Sequence, residues 1–363
     1  MEPENKKQKI LILAVPFSGH INPMTGMVHE LTSNHHCHII FYGIPEIKQI
    51  IEKTGAEYRP YSYFPIDNFK RKPTNQKQDS TFMQVALEML DLSDRILPEL
   101  EKIVILERPD LIIYDTWALF TKFLLQILDQ KHKKGFLQHP PPPAVMFSPF
   151  FGFKPGVYPS NRQYEMIMGY DFNFYVKYIY LFFKQLMLNF KYGLSYYDTI
   201  DLLFKHTGKL NIVATFYDLQ PKVDLFDDND HFVGCCISET VRAQSISDEK
   251  LKACLNLFEA RNPVESLSLA GANGPKLIYA SLGTIFNNNF YIYECMVDAV
   301  RTFDDEVERC GVGKEQIRLV VSVGSEVFEI YEDKIKNEGY VLPGNVILLP
   351  SAPQIGELFF HFF

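Results

Sequence analysis

The chain has 363 residues, 47% apolar and 22% charged, a balance that excludes a disordered or fibrous polypeptide and leaves room for two domains of ordinary size. A net charge of -8 with no long basic run argues against nucleic acid and anionic membrane surfaces as partners. Aromatic residues reach 14%, with 30 Phe and 20 Tyr beside a single Trp, so large apolar cores or an apolar small-molecule cleft are expected.

The first segment, Met1–Lys9, is polar and basic, and the apolar run after it is too short for a secretory signal. No stretch approaches the length of a transmembrane helix. The six cysteines (Cys37, Cys235, Cys236, Cys254, Cys295, Cys310) form no CxxC pair, which predicts reduced thiols and a cytoplasmic protein.

Ile10–Val15 is apolar on both faces, the pattern of a central parallel strand covered by helices on both sides. The polar loop Ser18-Gly19-His20 follows, and a helix is predicted over Met24–Ser33. In open α/β sheets that carboxyl edge is where ligands bind. Gly19 suits a sharp turn or a close approach to a ligand, and His20 is the side chain there able to exchange a proton near neutral pH. A histidine bonded to backbone or capping a helix is the plainer alternative.

Further strands are predicted at His38–Tyr42, Ala56–Tyr61, Leu111–Tyr114 and Ala144–Phe147. Helices are expected over Pro45–Thr54, Thr81–Glu107 with an interruption at Pro98, and Trp117–Gln130, and a loop over Asn68–Asp79. This alternation indicates a doubly wound parallel sheet. In the usual strand order of such sheets, strands one and four are neighbours, about 4.8 Å apart. Asp115 directly follows strand four, so its carboxylate and the His20 ring are predicted to meet at the switch point. A carboxylate on one imidazole nitrogen fixes the tautomer and leaves the other nitrogen as a base. Asp115 as the N-cap of the next helix is the competing reading.

Phe150–Asn211 is dense in Tyr, Phe and Met and reads as amphipathic helices, mostly packing, with a subset facing an apolar acceptor. Strands follow at Asn211–Thr215 and Phe232–Cys236. Residues 1–238 thus form one domain, 239–275 a linker containing a short helix, and 276–363 part of a second α/β domain. In that second part, strands are expected at Lys276–Ala280, Ile317–Val323 and Asn345–Leu349, and helices at Phe290–Arg309 and Ser325–Lys336.

Smaller signals carry less. His35, His36, Cys37 and His38 are rich in ligand atoms, but alternate residues there point to opposite faces and no further ligand pair follows at metal spacing. Pro140–Pro143 reads as a plain loop, and Asp227–Asp230 as an exposed turn.

Ser281-Leu-Gly283-Thr284 follows a strand and precedes a helix, where backbone N–H groups and small hydroxyls suit a phosphate. The order of features is more specific than any one of them. A Gly-His loop follows strand one and an Asp follows strand four. Phe-Val-Gly precedes the linker, Ser-Leu-Gly-Thr follows it, and Ala352-Pro-Gln354 comes after a later apolar strand. This arrangement resembles the UDP-dependent family 1 glycosyltransferases, especially the macrolide-glycosyltransferase-like branch, over nearly the whole chain.

The resemblance implies the GT-B fold: two Rossmann-like domains, the first holding an apolar acceptor and the second a UDP-sugar. It implies inverting hexosyl transfer without a metal or other cofactor. His20 would be the base and Asp115 its partner, with Ser18 and Gly19 near the acceptor. Ser281, Gly283 and Thr284 would lie near the diphosphate, and Ala352 and Gln354 near the uracil. After Gln354 the family's His-x-Gly turn, ribose-binding Glu and Asp-Gln pair do not appear before Phe363. The expectation is therefore a C-terminally truncated second domain with an exposed sheet edge and impaired transfer. A non-catalytic small-molecule-binding remnant of the same fold is the alternative. A nucleotide-sugar epimerase is disfavoured by the apolar 150–211 region.

Overall fold

The computed structural model describes residues 7–65, 81–154, 156–157, 172–195, 201–202, 205–238, 241, 248–259, 276–283, 289–310 and 317–352. The chain divides into two compact units, the first ending at Val241.

In the first unit seven strands form one parallel sheet: β1 (Lys9–Leu13), β2 (His38–Gly43), β3 (Glu57–Pro60), β4 (Leu111–Asp115), β5 (Ala144–Ser148), β6 (Leu210–Val213) and β7 (Asp230–Phe232). Their order is β3-β2-β1-β4-β5-β6-β7. The reversal of winding falls between β1 and β4, which pair from Ile10 with Leu111 to Leu13 with Tyr114. β1 has no polar face because both of its faces are covered. Ile10 and Ile12 join Ile39, Phe41, Ile113 and Phe147 in a core closed by Ile21, Met24, Val28, Ile47 and Ile51. The alternate set, Leu11, Leu13, Ile40, Ile112, Tyr114 and Met146, is equally buried.

The helices of this unit are α1 (Ser18–Ile21), α2 (Thr25–Ser33), α3 (Lys48–Lys53), α4 (Thr81–Glu107), α5 (Leu119–Lys133) and α6 (Phe172–Tyr192). α4 packs on both α5 and α6. The interruption expected at Pro98 does not occur, since α4 runs through it. Proline supplies no N–H to the carbonyl four residues back, that of Asp94. The Tyr192 hydroxyl donates to this oxygen instead, at 3.3 Å. Gly26 allows another close approach: its N–H donates to the Cys236 carbonyl at 2.6 Å, and Ser238 N–H donates to Thr25 Oγ1 at 3.2 Å. The segment after β7 is thereby tied to the start of α2.

The second unit contains β8 (Lys276–Ser281), β9 (Ile317–Ser322) and β10 (Val346–Leu349), parallel in the order β10-β9-β8, with helices α7 (Glu249–Glu259), α8 (Phe290–Arg309) and α9 (Ser325–Asn337). On one face Leu319, Val321, Val346 and Leu348 pack with Tyr293 and Val297 of α8 and Val327 and Tyr331 of α9. On the other, Val320 and Leu349 meet Leu251 and Leu255 of α7. The short helix of the expected linker is thus part of this core, while 242–247 and 260–275 lie outside the described residues. Among the described residues β8 pairs only with β9, and Ile278 on it is exposed.

Candidate active site

Pairing β1 with β4 brings the residues that follow each strand to one sheet edge. After Leu13 the chain stays extended to Phe17, whose carbonyl accepts N–H bonds from His20 and Ile21, both at 2.9 Å. Ser18–Ile21 is therefore a helical turn and not the polar loop expected from the sequence. Gly19 takes no left-handed conformation, so the sharp turn anticipated for it is absent. Nothing lies within 4 Å of where a Cβ on Gly19 would stand, and Ser18 and Gly19 are both exposed.

His20, 2% exposed, directs Nδ1 at the fully buried Asp115 carboxylate, 2.9 Å from Oδ1 and 3.0 Å from Oδ2. The reading of Asp115 as a helix cap fails. α5 begins at Leu119 behind Ala118, with no side-chain cap, while Asp115 offers only its backbone carbonyl to Ala118 N–H at 2.9 Å. An ionised carboxylate only accepts hydrogen bonds, so the neutral ring must carry its proton on Nδ1. No hydrogen bond among the described residues engages Nε2. Three aromatic rings surround the imidazole: Trp117 and Phe150, each with its ring centroid 4.9 Å away, and Phe17 at 5.9 Å. These were not singled out as site residues from the sequence. They arrive from three separate strand ends, and only the closed sheet juxtaposes them.

Two further groups lie near the pair. Lys122 on α5 is buried and donates to the carbonyls of Leu202 at 3.2 Å and Lys205 at 3.3 Å. Burial pushes its ammonium down to about 7, against the opposing pull of the Asp115 and Asp201 carboxylates. Asn22, two residues beyond His20, holds a buried Oδ1 with no hydrogen-bond donor among the described residues.

A second buried histidine–carboxylate pair shows by contrast what a structural clasp looks like. His206 Nδ1 lies 2.7 Å from Asp230 Oδ1, and its Nε2 accepts the Phe153 N–H at 3.3 Å, so both ring nitrogens are used. Asp230 also takes Asn211 Nδ2 at 3.0 Å and Lys154 Nζ at 2.8 Å. Burial raises the Asp230 carboxyl, but hydrogen bonds from His206 and Lys154 outweigh it and hold the group well below the ordinary carboxylate range. The exposed turn expected over Asp227–Asp230 thus holds for Asp227, Asp228 and Asn229, whereas Asp230 is buried in β7.

In the second unit, Ser281 ends β8 and aligns with Ser322 of β9, which aligns with Leu349 of β10. The turn Ser281–Gly283 and the segment reaching Ala352 therefore share one carboxyl edge. Gly283 has φ of 71°, a conformation that favours glycine, and donates its N–H to Ser281 Oγ at 3.3 Å. Ala352 sits in the core with Leu251, Leu255 and Val320. Thr284 and Gln354, the other donor-site candidates, lie outside the described residues.

The histidine-rich segment is built locally, with His38 Nε2 2.9 Å from Glu57 Oε2. Among the described residues no group of three or more His, Cys, Asp or Glu side chains is placed to hold a metal ion. Among them, too, no helix is long and apolar enough to cross a membrane.

No protein-family model matches the chain. It is 24% identical over 362 residues to the uncharacterized UDP-glucosyltransferase YojK of Bacillus subtilis (strain 168), covering 95% of this chain and 71% of that one. The glycosyltransferase of kitacinnamycin superposes with a TM-score of 0.61 at 20% identity, over 96% of this chain and 72% of that structure. The spinosyn rhamnosyltransferase SpnG, solved in complex with thymidine diphosphate, gives 0.51 at 14% identity, over 96% and 71%. With two parallel α/β units and these likenesses over nearly its whole length, the chain is similar to UDP-glucosyltransferases and shares the GT-B fold of the solved glycosyltransferases.

Proposed function

We propose that the chain transfers a hexose from a UDP-sugar to a hydroxyl of a small apolar acceptor, with inversion at the anomeric carbon. One observation carries the reading: a buried imidazole with Nδ1 committed to Asp115 and Nε2 left uncommitted, ringed by Phe17, Trp117 and Phe150. In the reaction Nε2 takes the acceptor O–H proton. The freed oxygen electron pair bonds to the anomeric carbon, and the bond from that carbon to the diphosphate breaks on the opposite face, releasing UDP. Asp115 holds the Nδ1–H tautomer and balances the charge of the imidazolium as it forms. The apolar rings favour an aromatic or aliphatic acceptor over a polar one. Fixing both substrates in line supplies much of the acceleration. The reading assigns no step to a metal ion.

The UDP-glucosyltransferase relative and the thymidine diphosphate complex of SpnG support a nucleotide-sugar donor. Ser281, Gly283 and Thr284 are the proposed diphosphate contacts, and Ala352 and Gln354 the proposed uracil contacts. The test is UDP release from UDP-glucose in the presence of a panel of phenolic acceptors. Acceptor-dependent release should fall by about a thousandfold in His20→Ala, with UDP affinity by calorimetry unchanged. Retained turnover in that variant would remove His20 from the reaction.

A second reading, acceptor binding with impaired or no transfer, is favoured by a separate observation. Gly283 N–H is donated within its own turn, and Ala352 is packed in the core, so two proposed donor contacts are already engaged by the fold. Weak or absent UDP binding together with retained acceptor binding would select it, and micromolar UDP binding would reject it.

A further inference from the structure

α6 is apolar on two sides, and only one of them is covered. Leu181, Gln185 and Leu188 form its buried side, and the helix packs on α4. On the other side Val176, Tyr180, Phe183, Met187 and Phe190 recur at spacings of four, three, four and three residues, the repeat of a helix–helix seam. All five are exposed, Met187 at 72% and Phe190 at 82%. A helix that is apolar all round is ordinarily buried.

The flanking charges narrow the choice of partner. α6 carries no acidic residue, and its lysines Lys177, Lys184 and Lys191 recur every seven residues. Lys184 pairs with Asp91 and Lys191 with Asp94, both carboxylates belonging to α4. Two of the three cations are therefore engaged within the unit, leaving little free positive charge for an anionic membrane or an acidic partner. The seam itself is long, apolar and uncharged, as the centre of a stable interface is. With Ile179 included, the exposed apolar area is on the order of 800 Å² per copy, taking about 200 Å² for a fully exposed large side chain. That is about the area each partner contributes to a standard interface.

We propose that this face of α6 is the interface of a homodimer, the α6 helices of two copies packing seam to seam about a two-fold axis near Phe183. Such a contact is self-complementary, and the same five side chains serve both copies. It commits the patch to a second copy of this chain and is independent of the transferase reading.

Sedimentation velocity of the full chain over a concentration series tests it. The wild type should pass from monomer to dimer, and Phe183→Glu should shift the midpoint at least a hundredfold to higher concentration. Met187→Lys serves as a second variant should the first fail to fold, with circular dichroism and the melting temperature confirming a folded monomer. Oxidised Phe183→Cys should form a covalent dimer well above the wild-type background, whereas Leu106→Cys, still more exposed on α4, should not. A wild type that stays monomeric, a dimer unmoved by both seam variants, or a monomer that instead co-sediments with neutral phosphatidylcholine vesicles would each overturn the proposal.

Discussion

Asp115→Asn is the sharpest perturbation of the proposed reaction, because it changes one atom type at a buried pair. Both carboxylate oxygens lie within 3.0 Å of His20 Nδ1, so an amide in either orientation must place its oxygen or its nitrogen against that ring atom. If the amide nitrogen faces the ring, Nδ1 becomes an acceptor, the proton moves to Nε2, and the base is lost. If the oxygen faces it, the tautomer survives but the imidazolium forms without a counter-charge. Two charge centres about 4 Å apart interact by about 4 kcal/mol at an effective dielectric of about 20. At 1.36 kcal/mol per tenfold, that is a loss of about a thousandfold in kcat. The assay is acceptor-dependent UDP release at saturating UDP-glucose, with the fold checked by circular dichroism and UDP binding by calorimetry. A variant retaining kcat within threefold of the wild type would refute the role given to Asp115.

Three other substitutions test the frame around the site. Asp230→Asn should destabilise the first unit by about 3 kcal/mol at pH 7, since it leaves the buried His206 beside a neutral amide and Lys154 with Asp227 as its remaining carboxylate partner. The Asp230 carboxyl is held below its unfolded value, so its contribution is complete above about pH 4 and is lost as the pH falls further. Urea melts of the wild type should show this acid loss, and the variant should show a smaller one. Gly26→Ala should cost about 3 kcal/mol, because the new Cβ would fall 2.8 Å from the Cys236 carbonyl carbon and closer still to its oxygen. The melting temperature reports it, and an unchanged value would contradict the close packing of α2 on that segment. Lys122 has a folded value of about 7, below its unfolded value, so burying its charge penalises the fold in full below pH 7 and progressively less above it. Stability from this group should therefore rise by about 2 kcal/mol between pH 7 and pH 9, and Lys122→Met should abolish that rise in pH-dependent urea melts.

The parallel sheet and the meeting of His20 with Asp115 were legible because they follow from local rules. Two-sided apolar runs mark central strands, and the usual winding order makes strands one and four neighbours. What escaped reading depends on long-range partners. At Pro98 the Asp94 carbonyl that proline leaves unpaired is met by the Tyr192 hydroxyl, and no local pattern encodes that contact. Asp230 looked like a member of an acidic turn because its partners His206 and Lys154 are 24 and 76 residues away. Trp117 and Phe150 are unremarkable loop aromatics until β4 and β5 set them around one imidazole. The helix α7 read as part of a linker because its polar residues outnumber the few, Leu251 and Leu255 among them, that pack on β9 and β10.

The central claim is a proton position: on Nδ1 of His20, pointed at Asp115, with Nε2 bare. ¹⁵N–¹H correlation through the long-range couplings of the imidazole ring, in protein labelled at histidine and assigned with His20→Ala, reads that position without any acceptor or donor. The account predicts the protonated pattern at Nδ1 and the unprotonated pattern at Nε2. A proton on Nε2, or rapid averaging between the two nitrogens, would contradict it.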